Sequence, residues 1–214
     1  RSTLLKSSAA SDVYKRQGYF LDTIEKKKFE LNDCQFSYRS SIFKKSLRNK
    51  FIITEVVLQL SKTNHKISKS YKSINDALNK KKIHNPTIKD IARIVSKIRE
   101  NKLPNPSLIG NSGSFFKNPI VSIELLNKLK QKFSKLVYFK ESVSKYKLSA
   151  AWLIENCNFK NIEEKNVGVY KNQALVIINL GNATGKDILL FSKKIKSTVL
   201  EKFDILLEEE VNII

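Results

Sequence analysis

Two threonines, Thr87 and Thr184, each stand three residues ahead of an aspartate, Asp90 and Asp187, at the head of a run with helical apolar spacing. A hydroxyl at the first position can accept from the backbone N–H of the third residue on, and the carboxylate there can return the bond, so the pattern starts helices. Behind Thr87 come Ile88, Ile91, Val95 and Ile98; behind Thr184 come Ile188, Phe191, Ile195 and Val199. The first helix is expected to stop before Pro104, because a proline disfavours helical backbone in the residue before it. Ser122 opens another helix with Ile123, Leu126, Leu129 and Phe133 on its stripe, and a short helix is expected over 150–156. Between them lie β-rich runs at 51–60, 174–178 and 204–211. Helices and strands mixed in this way predict an α+β chain.

The balance of 40 Lys+Arg against 20 Asp+Glu gives a net charge of +20, for which a nucleic-acid partner is one explanation. Only six of those cations are arginines (Arg1, Arg16, Arg39, Arg48, Arg93 and Arg99), and base-edge recognition leans on bidentate Arg. No nucleic-acid partner is therefore expected, and the charge is read as a lysine-biased surface that also gathers anions. Cys34 and Cys157 are too few for a disulfide framework, which suits a reducing, cytoplasmic setting. His65 and His84 make no metal-ligand pattern with them, and no metal is expected. No apolar run approaches the ~18 residues of a membrane span, so no membrane partner is expected.

The stretch Gly110-Asn-Ser-Gly113-Ser114-Phe-Phe-Lys117-Asn118-Pro119 carries the chemistry. Its glycines permit tight backbone, which would hold Ser114 on a constrained turn beside a cation, Lys117, and an amide, Asn118. By composition alone it is a Gly-Ser loop packed by Phe115 and Phe116. As a motif it resembles the signature of the UDP-N-acetylenolpyruvoylglucosamine reductase family. Further segments resemble the family's, in its order. Tyr38-Arg39-Ser-Ser-Ile-Phe43-Lys44 matches Tyr-Arg-x-Ser-x-Phe-Lys, and Arg99-Glu-Asn-Lys102-Leu103-Pro104-Asn-Pro106 matches Arg-x-x-Lys-Leu-Pro-x-Pro. Ser149-Ala-Ala-Trp152-Leu-Ile-Glu and Asn172-Gln173-Ala174-Leu-Val-Ile-Ile-Asn179 follow, and Leu207-Glu-Glu-Glu210-Val211 matches the closing Leu-Glu-x-Glu-Val.

That resemblance implies the C-terminal part of an FAD-binding (PCMH-like) domain over residues 18–101 and an α+β substrate-binding domain over 102–204. A returning strand over 205–214 would carry Glu210. Residues 1–17 match nothing in the family and are expected to be a leader foreign to the fold. None of the six glycines forms a Gly-x-Gly cluster before Gly110, so the main FAD loops are expected to be missing and the chain N-terminally truncated.

The implied reaction is the reduction of UDP-N-acetylglucosamine enolpyruvate to UDP-N-acetylmuramate for peptidoglycan synthesis, with FAD and NADPH, by a cytoplasmic monomer. Ser114 aligns with the proton donor, Arg39 with the residue that holds the enolpyruvyl carboxylate, and Glu210 with the acid that assists at the intermediate. Lys102 and Asn118 align with contacts to the diphosphate or sugar, and Gln173 with a uracil-side contact. Tyr71 resembles the tyrosine of a substrate-covering segment, which implies the Tyr-loop subtype, and Tyr138 a further substrate-loop tyrosine. Two other readings stand beside this one: a non-catalytic UDP-sugar-binding remnant and, less favoured, a basic nucleic-acid-binding module.

Overall fold

The computed structural model describes residues 13–60, 62 and 71–213. The chain divides into two compact units, Arg1–Lys66 and Ile67–Ile214. Helices and strands mix throughout, as the α+β expectation required.

The first unit is an antiparallel sheet in the order β2–β1–β3, built from β1 (Val13–Phe20), β2 (Lys26–Glu30) and β3 (Phe51–Leu58). Lys15, Arg16 and Gln17 pair in register with Glu30, Phe29 and Lys28. Residues 13–17, which the sequence assigned to the leader, lie in β1 and pair across to β2, a contact that local composition does not show. Residues 1–12 lie outside the described ones. Gly18 is a close-packing glycine: a Cβ there would stand 1.9 Å from the Ile52 carbonyl oxygen. Phe29, Cys34 and Ile42 are buried together, and Phe43 and Phe51 lean on Phe29 with ring centroids 5.2 Å away. Burial pushes the Cys34 thiol up in pKa, although Arg16 pulls it the other way.

The second unit begins with α1 (Lys72–Lys80) and α2 (Ile88–Lys102), which bury Ile74, Leu78 and Ile94 together. Thr87 and Asp90 exchange both bonds of a capping box, and α2 ends at Lys102, before Pro104 as expected. The boundary expected between residues 101 and 102 lies at the C-terminal end of α2, and the compact units divide at Lys66/Ile67. A long-range bond from Asn172 Nδ2 to the Asn101 carbonyl (2.9 Å) ties α2 to the elements that follow.

Those elements are β4 (Gly110–Ser114), β5 (Ile120–Ser122), α3 (Ile123–Lys132), β6 (Tyr138–Lys140), β7 (Lys145–Leu148) and α4 (Ala150–Asn156). After them come β8 (Glu163–Glu164), β9 (Val167–Val169), β10 (Val176–Asn179) and α5 (Gly185–Phe203). The sheets run β4–β10–β9–β8 and β5–β7–β6. Phe191, Ile195 and Val199 of α5 share one core with Phe115, Phe116, Leu153 and Val169. The expected strand over 204–211 is corrected: this segment is irregular chain with a single bridge, Glu209 to Phe116. Asp204 caps α5 in the left-handed region, and Ile205 and Leu207 then bury alternate side chains without a continuous ladder.

Candidate active site

Ser114 ends β4, an edge strand rather than the turn its composition suggested. Pairing with β10 supplies hydrogen bonds that a Gly-Ser composition cannot reveal. Opposite Val176 stands Ser114, and opposite Ile178 stands Asn111, so Ser112 and Gly113 together face the single residue Ile177. Such a bulge bends a strand and re-aims the side chains beside it. Gly113 takes φ +70°, which is why a glycine stands there, since an added Cβ would meet nothing within 4 Å. Asn111 fixes the bend: its Oδ1 accepts from Gly113 N (3.0 Å) while its Nδ2 donates to the Ile109 carbonyl (2.9 Å).

Beyond the half-buried Ser114 the chain is anchored by its aromatics. Phe115 N donates to the Leu175 carbonyl (2.7 Å), and Phe115 and Phe116 are 5% and 1% exposed. Burying such a ring is worth roughly 1.5–3 kcal/mol, enough to hold the strand end in one place. Asn118 then turns inward, its Oδ1 accepting from Ala150 N (2.9 Å) at the start of α4, where Ser149 also caps. Its amide oxygen thus positions a helix, a role the motif did not suggest.

The tail brings Glu210 to this strand end. Lys117 N donates to the Glu208 carbonyl (2.9 Å) and Glu210 N to the Phe115 carbonyl (2.8 Å). Leu207, fully buried, and Val211, packed on the core, bracket the three glutamates. Glu208 pairs with Lys117. Glu209 receives Lys196 Nζ on both carboxylate oxygens, at 2.8 and 3.0 Å. Burial, the largest single influence on Glu209, pushes its pKa up, but the bonds to Lys196 and the charge of Lys117 together hold it below the usual range. Glu210, the remaining member, is the one whose backbone joins the residue after Ser114.

The other expected residues stand as follows. Gln173 is half-buried before β10, its Oε1 accepting from Leu175 N (3.5 Å), and Leu175 is the residue that holds Phe115. Lys102 is the exposed last residue of α2, and Tyr71 is the exposed N-cap of α1. Tyr138 lies on β6 with Lys130 Nζ 5.2 Å from its ring and Tyr146 6.1 Å away. Arg39 belongs to the first unit, at φ 53° in the tight turn that Ser37 and Ser40 close with reciprocal bonds of 3.0 and 3.1 Å. A left-handed arginine costs about 1–2 kcal/mol, and such strain gathers at functional positions. Lys44 Nζ steadies the turn by donating to the Arg39 carbonyl (3.4 Å). Two open pockets of the second unit, about 310 and 470 Å³, are lined by Leu108–Gly110 with Asn179–Gly181 and by Ile120–Ser122 with Ser144; Ser114 and Glu210 line neither.

Sequence reasoning missed Asn111, although Asn-x-Gly is an Asx-turn signal, and it missed Lys196, for which no local signal exists. A dinucleotide cradle needs glycine backbone open to a pyrophosphate. Gly18, the one glycine of the first unit, has its Cβ space filled by the Ile52 carbonyl and the Phe51 ring, so it offers no such opening. Among the described residues no helix is long and apolar enough to cross a membrane.

Comparison with known proteins returns one consistent relationship. Residues 105–214 match the family model described as UDP-N-acetylenolpyruvoylglucosamine reductase, C-terminal domain. The UDP-N-acetylenolpyruvoylglucosamine reductase of Flavobacterium johnsoniae is 46% identical over 194 residues, covering 91% of this chain and 58% of its own length. That of Amoebophilus asiaticus is 43% identical over 188 residues, 88% of this chain and 55% of its own. The chain thus spans little more than half the length of these relatives. The crystal structure of the Thermus caldophilus reductase shares the fold, with a TM-score of 0.56 at 19% identity over 95% of this chain and 53% of that one.

Proposed function

This chain belongs to the UDP-N-acetylenolpyruvoylglucosamine reductase family, and we propose that it carries the substrate-binding and proton-delivering part of such an enzyme. The whole protein would reduce UDP-N-acetylglucosamine enolpyruvate to UDP-N-acetylmuramate, as a cytoplasmic monomer supplying peptidoglycan synthesis. Reduction of the vinyl ether adds a hydride to one carbon and a proton to the other. FAD and NADPH are the redox partners the family implies. The steps below are those of this chain's own side chains.

The observation that carries the proposal is that the Glu210 segment docks on the residue after Ser114. The two segments lie almost a hundred residues apart and are joined through the Glu210 N–H to Phe115 carbonyl bond. Hydride addition leaves carbanion character beside a carboxylate, and a positioned hydroxyl, a poor acid in water, becomes useful only when held at the developing charge. The bulge at Gly113 supplies that holding, and the Ser114 hydroxyl delivers the proton. Glu210 assists as the neighbouring acid. Arg39 keeps the enolpyruvyl carboxylate on the chemistry of its planar fork alone. Lys102 and Asn118 are assigned the diphosphate or sugar, Gln173 the uracil, and Tyr71 and Tyr138 the covering of the nucleotide.

For the chain taken by itself, which spans little more than half the length of its relatives, binding of the nucleotide sugar without turnover is the expected behaviour. Calorimetric titration of the full chain with UDP-N-acetylglucosamine enolpyruvate tests this. Saturable binding weakened about tenfold or more in Lys102→Ala is expected, the worth of one charge-assisted phosphate contact. A folded chain that takes up none of the ligand contradicts the proposal.

A further inference from the structure

The tail that carries Glu210 docks beside the Ser114 strand through two backbone bonds, to Phe115 and Lys117, and through the apolar side chains of Leu207 and Val211. Neither flanking ion pair was foreseen, and they differ in kind. Glu208, which pairs with Lys117, is 73% exposed, so water screens that pair. The Lys196–Glu209 pair is largely withdrawn from solvent, its side chains 23% and 20% exposed. Lys196 stands in the middle of α5 beside the fully buried Ile195, on a helix that Val199 and Phe203 also seat in the core. A donor on so rigid a base that meets both oxygens of one carboxylate restricts the direction of residue 209 as well as its distance. Glu210 is the next residue. Glu209 fills the unspecified position of Leu-Glu-x-Glu-Val, so the device belongs to this chain rather than to that motif.

We propose that Lys196 is a positioning residue: through Glu209 it sets where Glu210 stands beside Phe115 and Ser114. The proposal rests on the reading of Glu210 as the acid that works with Ser114. Loss of the Lys196 amine leaves a largely buried carboxylate without its partner, and the tail moves out to hydrate it, taking Glu210 away from the strand end.

Amide hydrogen exchange, followed by NMR on the full chain, tests this without any ligand. The Glu210 and Lys117 amides report the docked tail, while the Val169 and Tyr170 amides, bonded to Ile162 and Val176, report the rest of the unit. In Lys196→Ala, Glu210 and Lys117 are expected to exchange about tenfold faster or more, with Val169 and Tyr170 unchanged. Lys196→Arg, which keeps a cationic donor, should return both rates to within about twofold of the parent. Should Lys196→Ala fail to fold, Glu209→Gln keeps the shape, removes the charge and should accelerate the same two amides. Unchanged exchange at Glu210, equal acceleration at all four amides, or no rescue by arginine overturns the proposal. Exchange reads the position of Glu210 alone, so its failure is separable from failure of the functional reading, which the calorimetric titration decides.

Discussion

Replacing Gly113 by alanine separates backbone conformation from packing as the reason for the glycine. An added Cβ meets nothing within 4 Å, so there is no steric contribution to the cost. What remains is the backbone, held at φ +70°. Placing an L-residue there costs about 1–2 kcal/mol. Alanine also restricts the unfolded chain, which returns roughly 0.4–1 kcal/mol. The net destabilisation of Gly113→Ala is therefore about 1 kcal/mol, and Gly113→Asn, which visits the left-handed region more readily, should cost less. Urea unfolding followed by fluorescence gives a clean measurement. Trp152, the single tryptophan, sits in the second unit against Phe133 and Phe203, at ring separations of 6.0 and 5.8 Å. The emission therefore reports the unit that contains the bulge. A loss of about 3 kcal/mol or more, or equal losses for alanine and asparagine, would refute the argument. A slip of the bulge by one residue would turn Ser114 to the other face, so the alanine variant should also bind the nucleotide sugar more weakly than the asparagine variant.

Gly18→Ala should do far more damage than Gly113→Ala, because its Cβ would stand 1.9 Å from a backbone oxygen; circular dichroism is expected to show loss of the first unit's sheet, and a folded parent-like spectrum contradicts this. Leu207→Ala removes a fully buried side chain and should cost about 2–5 kcal/mol by urea unfolding, loosening the Glu210 segment with it. Hydrogen bonds from Thr184 hold Asp187 below the usual carboxylate pKa. A depressed folded pKa contributes stability that is present above the unfolded value of about 3.9 and lost as the pH falls through the lower folded one. The urea midpoint should thus decline below about pH 4, and Thr184→Val should shrink that decline; an unaltered acid limb speaks against the capping bond as its source.

What the sequence made legible was local. Thr87, Ser122 and Thr184 announced their helices because a cap and the N–H it satisfies lie within one turn. The strand at Gly110–Ser114 was hidden, since its residues have no β preference of their own and become a strand only by pairing with β10. The tail erred the other way: Ile205 and Leu207 alternate as in a strand, yet only two backbone hydrogen bonds join it to Phe115 and Lys117. Ser114 and Glu210 came forward as candidates through motif resemblance, whereas Asn118 as a helix cap and Lys196 as the partner of Glu209 depend on contacts that no short motif encodes.

The central claim is that the Ser114 strand end and the Glu210 tail contact one ligand. Amide chemical shifts of the full chain, recorded while UDP-N-acetylglucosamine enolpyruvate is added, test it most directly. The account predicts that Ser114, Phe115 and Glu210 shift together and saturate with one dissociation constant. Saturating shifts confined to other residues, such as Ile120–Ser122 at the larger pocket, would contradict it.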